Sequence, residues 1–192
     1  TAKLPLRAMI LLGVNAGFGN TDVARLPLTA VDLDKGWINF PRPKTAMERK
    51  IPLWPETVAA IKEWLAICPM AKKKEHAGLL FLSPEGGSLD TADNPISKQM
   101  AKLRASLGII GHKNFYALRH TFQTIADDAR DFVAVRKIMG HASDDIADAY
   151  RERISDARLR AVVDHVRHWL YADHCEHVRA WRAWLDAEQM DG

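Results

Sequence analysis

Apolar residues recur at helical spacing along most of the chain and at strand spacing in a few short stretches. Leu4, Leu6, Met9, Ile10 and Leu12 predict a buried helix that ends near Gly17. Asn20 or Thr21 can cap a second short helix, Asp22 to Leu26, which Pro27 stops. Gly36 to Phe40 carries Trp37, Ile38 and Phe40 and reads as a strand, with Lys50 to Leu53 as its hairpin partner. Pro55 opens a helix with Val58, Ile61 and Leu65 on one face, and Pro69 bounds it. Leu79 to Leu82 reads as a short apolar strand before a turn at Pro84 to Gly87. Beyond Asp93 the pattern is almost wholly helical. The helices expected there are Ile96 to Leu107, Ala117 to Asp127, Phe132 to Met139, Ile146 to Tyr150 and Leu159 to Leu170. The expected fold class is mainly α with a small antiparallel β-sheet (α+β).

No repeat, low-complexity tract or linker divides the 192 residues, so one domain over 1–192 is expected. Apolar residues are 47% of the chain, enough for a sizeable core, and charged residues 27%. A formal net charge of +3 permits a nucleic-acid partner without demanding one. Two distant cysteines, Cys68 and Cys175, give no disulfide framework and fit a reducing compartment. No apolar run is long enough to span a bilayer and no secretory leader is visible, so a cytoplasmic or nucleoid location is the expectation. The chain opens directly on a packed helix without a Met start, which reads as a piece of a longer protein. Lys72, Lys73 and Lys74 read as a solvated loop. His174, Cys175 and His177 cluster near the end, but no second ligand pair stands at structural zinc spacing, so no metal is expected. Val178, Trp181, Trp184 and Leu185 form one stripe of a terminal helix, 173–192, suited to the core or to a subunit contact.

Three stretches carry chemistry: PKTAMERKIPL from Pro43 to Leu53, ALRHTF from Ala117 to Phe122, and IMGHASDDIADAY from Ile138 to Tyr150. In order and spacing they resemble the signature of the tyrosine recombinases and phage integrases. In that family a lysine sits on a hairpin, an H-x-x-R box opens a helix, and a Gly-His pair lies nine residues before a nucleophilic tyrosine. His141 and Tyr150 have that spacing, and Gly17 to Leu33 aligns with the family's first motif region. The resemblance runs from Leu11 to about Arg160. It implies a catalytic domain whose usual N-terminal core-binding domain is not in this sequence.

The chemistry asks for these residue types. A phosphodiester is a poor electrophile, and cutting and rejoining DNA without an energy source requires storing the bond covalently, which a tyrosine can do. Cations must balance charge on the nonbridging oxygens, and a proton donor must reach the leaving 5′ oxygen. The resemblance implies Tyr150 as nucleophile, Arg119 as phosphate clamp, His141 as phosphate hydrogen-bond partner and Lys44 as general acid. Tyr116 stands where the family has the histidine of H-x-x-R, and Arg42, Arg49 and Lys113 are candidate DNA contacts. Taken without the family, each has a plainer reading: a core tyrosine, a helix-surface arginine, a capping-region histidine, an exposed turn lysine. No cofactor is implied. The expected partners are double-stranded DNA and further copies of the chain, a tetramer by resemblance, with no membrane.

Two positions depart from the family. Gly19 follows Gly17-Phe18 where an arginine is usual, although Asp22 matches the acidic residue beyond it. Losing one of two clamping arginines should cost roughly 10³–10⁵ in rate by analogy with arginine fingers. Arg25 or Arg42 could supply the charge instead. Tyr116 is the milder change, since a phenol can hydrogen-bond to phosphate yet, with an ordinary pKa near about 10, shuttles protons poorly. The main expectation is site-specific recombination through a 3′-phosphotyrosine. The alternative is a catalytically degenerate homologue that only binds DNA. A third class, an all-helical protein-interaction module, would show no salt-sensitive DNA binding.

Overall fold

The computed structural model describes residues 4–111, 113–141 and 154–172. In chain order these form α1 (Leu6–Ala16), α2 (Asn20–Ala24), β1 (Val31–Asp32), β2 (Trp37–Asn39), β3 (Lys50–Pro52), α3 (Pro55–Leu65), α4 (Pro95–Ser106), α5 (Ala117–Asp127), α6 (Phe132–Met139) and α7 (Asp156–Tyr171). The result is the mainly helical α+β class that the pattern predicts. The strands make one antiparallel sheet in the order β1-β2-β3, with Val31 opposite Ile38 and Ile38 opposite Ile51.

Helix α1 is central. Eight of its eleven residues are buried, and it packs against α3, α5 and α7. Such all-round burial explains why its sequence is apolar without a clean polar face. Gly17, in the left-handed conformation, ends it by donating its N–H to the Leu12 carbonyl. Asn15 is fully buried and makes three hydrogen bonds. Its amide donates to the Pro52 carbonyl at 3.1 Å, and its oxygen accepts from the Trp54 N–H and the Thr57 hydroxyl, both at 2.9 Å. One polar side chain thus ties α1 to β3 and α3 with its strongest groups satisfied. Trp54 in turn donates its indole N–H to the Val163 carbonyl of α7 at 2.8 Å. Phe18, Phe81, Phe115 and Phe122 complete the interior.

Three expectations shift. Helix α2 begins two residues early, at Asn20 rather than Asp22, because Gly19 is the cap and the Asp22 carboxylate accepts the Gly19 N–H at 2.8 Å. Strand β1 was not foreseen from a pattern only two residues long. Leu79 to Leu82 forms no strand: Leu79 makes an isolated bridge with Pro27. Proline has no N–H, so the ladder stops after the flanking bonds from Leu28 to Gly78 and from Leu80 to Leu26. The helices expected at Ile146 to Tyr150 and over 173–192 lie outside the described residues. Among the described residues, no helix is long and apolar enough to cross a membrane.

Candidate active site

Arg119 lies in the first turn of α5 and is 3% exposed. Its guanidinium donates to the carbonyls of Gly17 and of Met139, the latter at 3.1 Å. Those oxygens sit at the C-terminal ends of α1 and α6. Helix C-termini leave carbonyls unpaired and carry partial negative charge, so they can hold a buried cation. The same guanidinium lies 2.9 Å from Nε2 of His141. Among the described residues no carboxylate pairs with Arg119, and burial, then the nearby Arg42, push its pKa down against the opposing pull of Asp22 and the Tyr116 phenol.

His141 is half-buried and donates its backbone N–H to the Arg136 carbonyl at the end of α6. A guanidinium can only donate, so Nε2 accepts and the ring proton is placed on Nδ1. Burial, then Arg119, Arg42 and Arg136, lower the His141 pKa below 6.5. The ring is therefore neutral at neutral pH in the unliganded protein.

The β2–β3 hairpin meets this pair from the other side. The Thr45 hydroxyl donates to the Gly140 carbonyl at 3.0 Å, and Arg42 Nη1 approaches the same oxygen at 3.5 Å. Gly140 has φ 63°, and a Cβ there would fall 2.8 Å from Arg49 Cδ and 2.9 Å from Arg42 Cβ. The glycine before His141 is thus required by backbone conformation and by two arginines packed against it. Lys44 is exposed on the hairpin. It lines an open cleft of about 460 Å³ together with Gly19, Asp22, Arg25, Arg42 and Tyr116.

Arg49 corrects an expectation. It was placed with the DNA contacts, yet it is 2% exposed. Its guanidinium pairs with Asp22 at 3.0 Å, donates through Nε to the Phe40 carbonyl at 2.9 Å, and lies 4.6 Å from the centre of the Phe18 ring. Burial pushes its pKa down to about 10, against the stabilising charge of Asp22, so it stays cationic at neutral pH. Its work is to fix the hairpin to α2. Lys113 is exposed in the α4–α5 loop, where it lines a different cavity with His120 and Thr124. Tyr150 lies outside the described residues.

The two departures from the family pattern are in contact. A Cβ on Gly19 would lie 3.2 and 3.3 Å from two ring carbons of Tyr116. The Tyr116 ring thus crowds the first atom of any side chain at 19, and it also meets His120 edge-on at 5.0 Å. The link was not visible in sequence, where 97 residues separate the positions. Asp22 and Thr45 were also missed as structural partners, although both lie inside the motifs.

This arrangement joins a buried arginine, a Gly-His turn and a lysine-bearing hairpin, and the model of the phage integrase family matches residues 1–155. The chain belongs to the phage integrase family. It is similar to the tyrosine recombinase XerC of Brucella melitensis biotype 1, with 33% identity over 122 residues, covering 63% of this chain and 37% of that protein. Among solved structures it resembles the integrase from mycobacterium phage Brujita, with TM-score 0.63 and 22% identity over 86% of this chain and 53% of the other. The XerH site-specific recombinase bound to its difH substrate, in a pre-cleavage complex, aligns with TM-score 0.56 and 25% identity over 72% of this chain and 40% of the other. The chain spans less than half the length of the curated relatives it matches.

Proposed function

We propose that this chain performs the strand-cleavage and rejoining chemistry of a site-specific DNA recombinase. The carrying observation is a concentration of cations that no carboxylate pairs with among the described residues. Arg119, Arg42 and Lys44 converge near the cleft, and Asp22, the buried carboxylate beside it, is already paired with Arg49. Positive charge that no carboxylate balances attracts an anion into such a cleft. A phosphodiester supplies one with two oxygens for a guanidinium to grip.

In the reaction, the Tyr150 phenol gives up its proton to solvent, its oxygen attacks phosphorus and the bond to the 5′ oxygen breaks. The phosphate stays on the tyrosine through the 3′ strand, and the leaving oxygen takes a proton from Lys44. Attack by a second 5′ hydroxyl reverses the steps and releases Tyr150. One phosphodiester is exchanged for another, so no outside energy is consumed. Arg119 holds the nonbridging oxygens. His141 turns from accepting an arginine N–H to contacting phosphate, which favours its protonated form. Double-stranded DNA is the substrate, in the nucleoid, and a tetramer on two sites is the assembly proposed from the family.

The test is a search for covalent protein–DNA adducts. The chain, joined to any preceding segment of its gene, is incubated with fragmented source DNA and denatured, and the ends of linked fragments are sequenced. Adducts that share a sequence and vanish in Tyr150→Phe are expected. Salt-sensitive DNA binding with no adduct would replace this reading with the degenerate DNA-binding homologue.

A further inference from the structure

We propose that Arg42 replaces the guanidinium missing at position 19 and is the second arginine gripping the scissile phosphate. This deepens the recombinase reading and rests on it. The space that a side chain at 19 would enter is closed by the Tyr116 ring, 3.2 Å from the Cβ position. A second clamping charge must therefore come from another element.

Two arginines line the cleft, and they are held differently. Arg25 is committed: its Nε donates to Asp90 at 2.6 Å. Arg42 has no carboxylate partner among the described residues. Among the described residues its guanidinium approaches the Gly140 carbonyl alone, at 3.5 Å, the limit of a hydrogen bond. The base of the Arg42 side chain is fixed. Its N–H donates to Met47, its carbonyl accepts from Thr45 and Ala46, and its Cβ packs on Gly140. A rooted side chain with a loosely held head is prepared to turn toward an anion at little cost in ordering.

Its neighbours are the phosphate-facing groups. Arg42 acts electrostatically on both Arg119 and His141, lowering the pKa of each. It stands two residues before Lys44 on the same hairpin. The clamp and the proton donor would then arrive together, whereas an arginine at position 19 would sit on the helical body. Two guanidiniums from opposite sides, Arg119 from α5 and Arg42 from the hairpin, can share the nonbridging oxygens while Lys44 attends the leaving oxygen.

The experiment uses the full chain and two readouts: the yield of covalent DNA adducts, and inorganic phosphate binding followed by the His141 ring resonance. Arg42→Ala is expected to lower the adduct rate about 10²-fold or more and to weaken phosphate about tenfold. Arg42→Lys should recover phosphate binding only in part, because an ammonium lacks the planar fork. Arg25→Ala should weaken phosphate binding much less than Arg42→Ala does. The inference is overturned if Arg42→Ala binds phosphate as tightly as the unmodified chain, or if Arg25→Ala weakens it equally. Should the unmodified chain form no adducts, the recombinase reading fails by itself, and the phosphate titration alone decides whether Arg42 grips the anion.

Discussion

Removing the Arg49 side chain strands the Asp22 carboxylate in the interior with only the Gly19 N–H to answer it. A buried pair broken on one side typically costs about 3–5 kcal/mol. Arg49→Met should lose stability of that order in urea unfolding, and a loss under about 1 kcal/mol would mean that the carboxylate reaches water. The second residue-scale expectation concerns His141, whose folded-state pKa lies below its unfolded value of 6.5. Between those two values the unfolded chain binds more protons, so stability rises with pH across the window and falls in acid. Bound phosphate adds negative charge beside the ring and should move its pKa upward. An NMR titration of the ring without and with DNA checks both directions. At this scale the sequence was partly legible. Arg119 sits among apolar neighbours whose burial could be foreseen, whereas nothing in the run MERK tells which of its charges turns inward.

Gly140 is the joint between α6 and the hairpin. In Gly140→Ala, an ordinary residue in the left-handed conformation costs about 1–2 kcal/mol. The new methyl also meets the stems of Arg42 and Arg49 below 3 Å. Thermal unfolding should show a loss of about 2–4 kcal/mol, with overpacking adding to the backbone term. The same substitution should also reduce adduct formation, because the hairpin and His141 lose their common support. Helices longer than two turns were legible from apolar spacing, α5 and α6 to the residue. The short elements were not. Two residues of β1 carry no period, and the Leu79 segment looks like a strand until its neighbour Pro27 is known.

Across the whole molecule, a net charge of +3 does not describe the cleft, because several acids are paired with bases away from it. Arg7–Glu63, Lys98–Asp93, Arg158–Asp131 and Arg167–Glu56 are such pairs. Arg42, Lys44 and Arg119 have no carboxylate partner among the described residues. DNA affinity should therefore fall steeply with salt, and Arg42→Ala should reduce the log–log slope by about 1, one phosphate contact fewer. An unchanged slope would place Arg42 off the DNA path. The class of fold was legible because the hydrophobic spacing is mostly helical. The meeting of residues 19, 42, 116 and 140 was not, since no local pattern records contacts made across a hundred residues.

The bonds of Asn15 bear on how the protein is made. Its partners Pro52, Trp54 and Thr57 lie 37 to 42 residues downstream, and Trp54 waits for a carbonyl another 109 residues on. Helix α1 thus leaves the ribosome ahead of the elements that pack on it and is among the last to be completed. Until the segment around Val163 has emerged, the sides of α1 that α5 and α7 cover stay open, although α3 and the partners of Asn15 are already in hand. A chain truncated by a premature stop before that point has no smaller native form in which to settle, and becomes a client for chaperones and proteases.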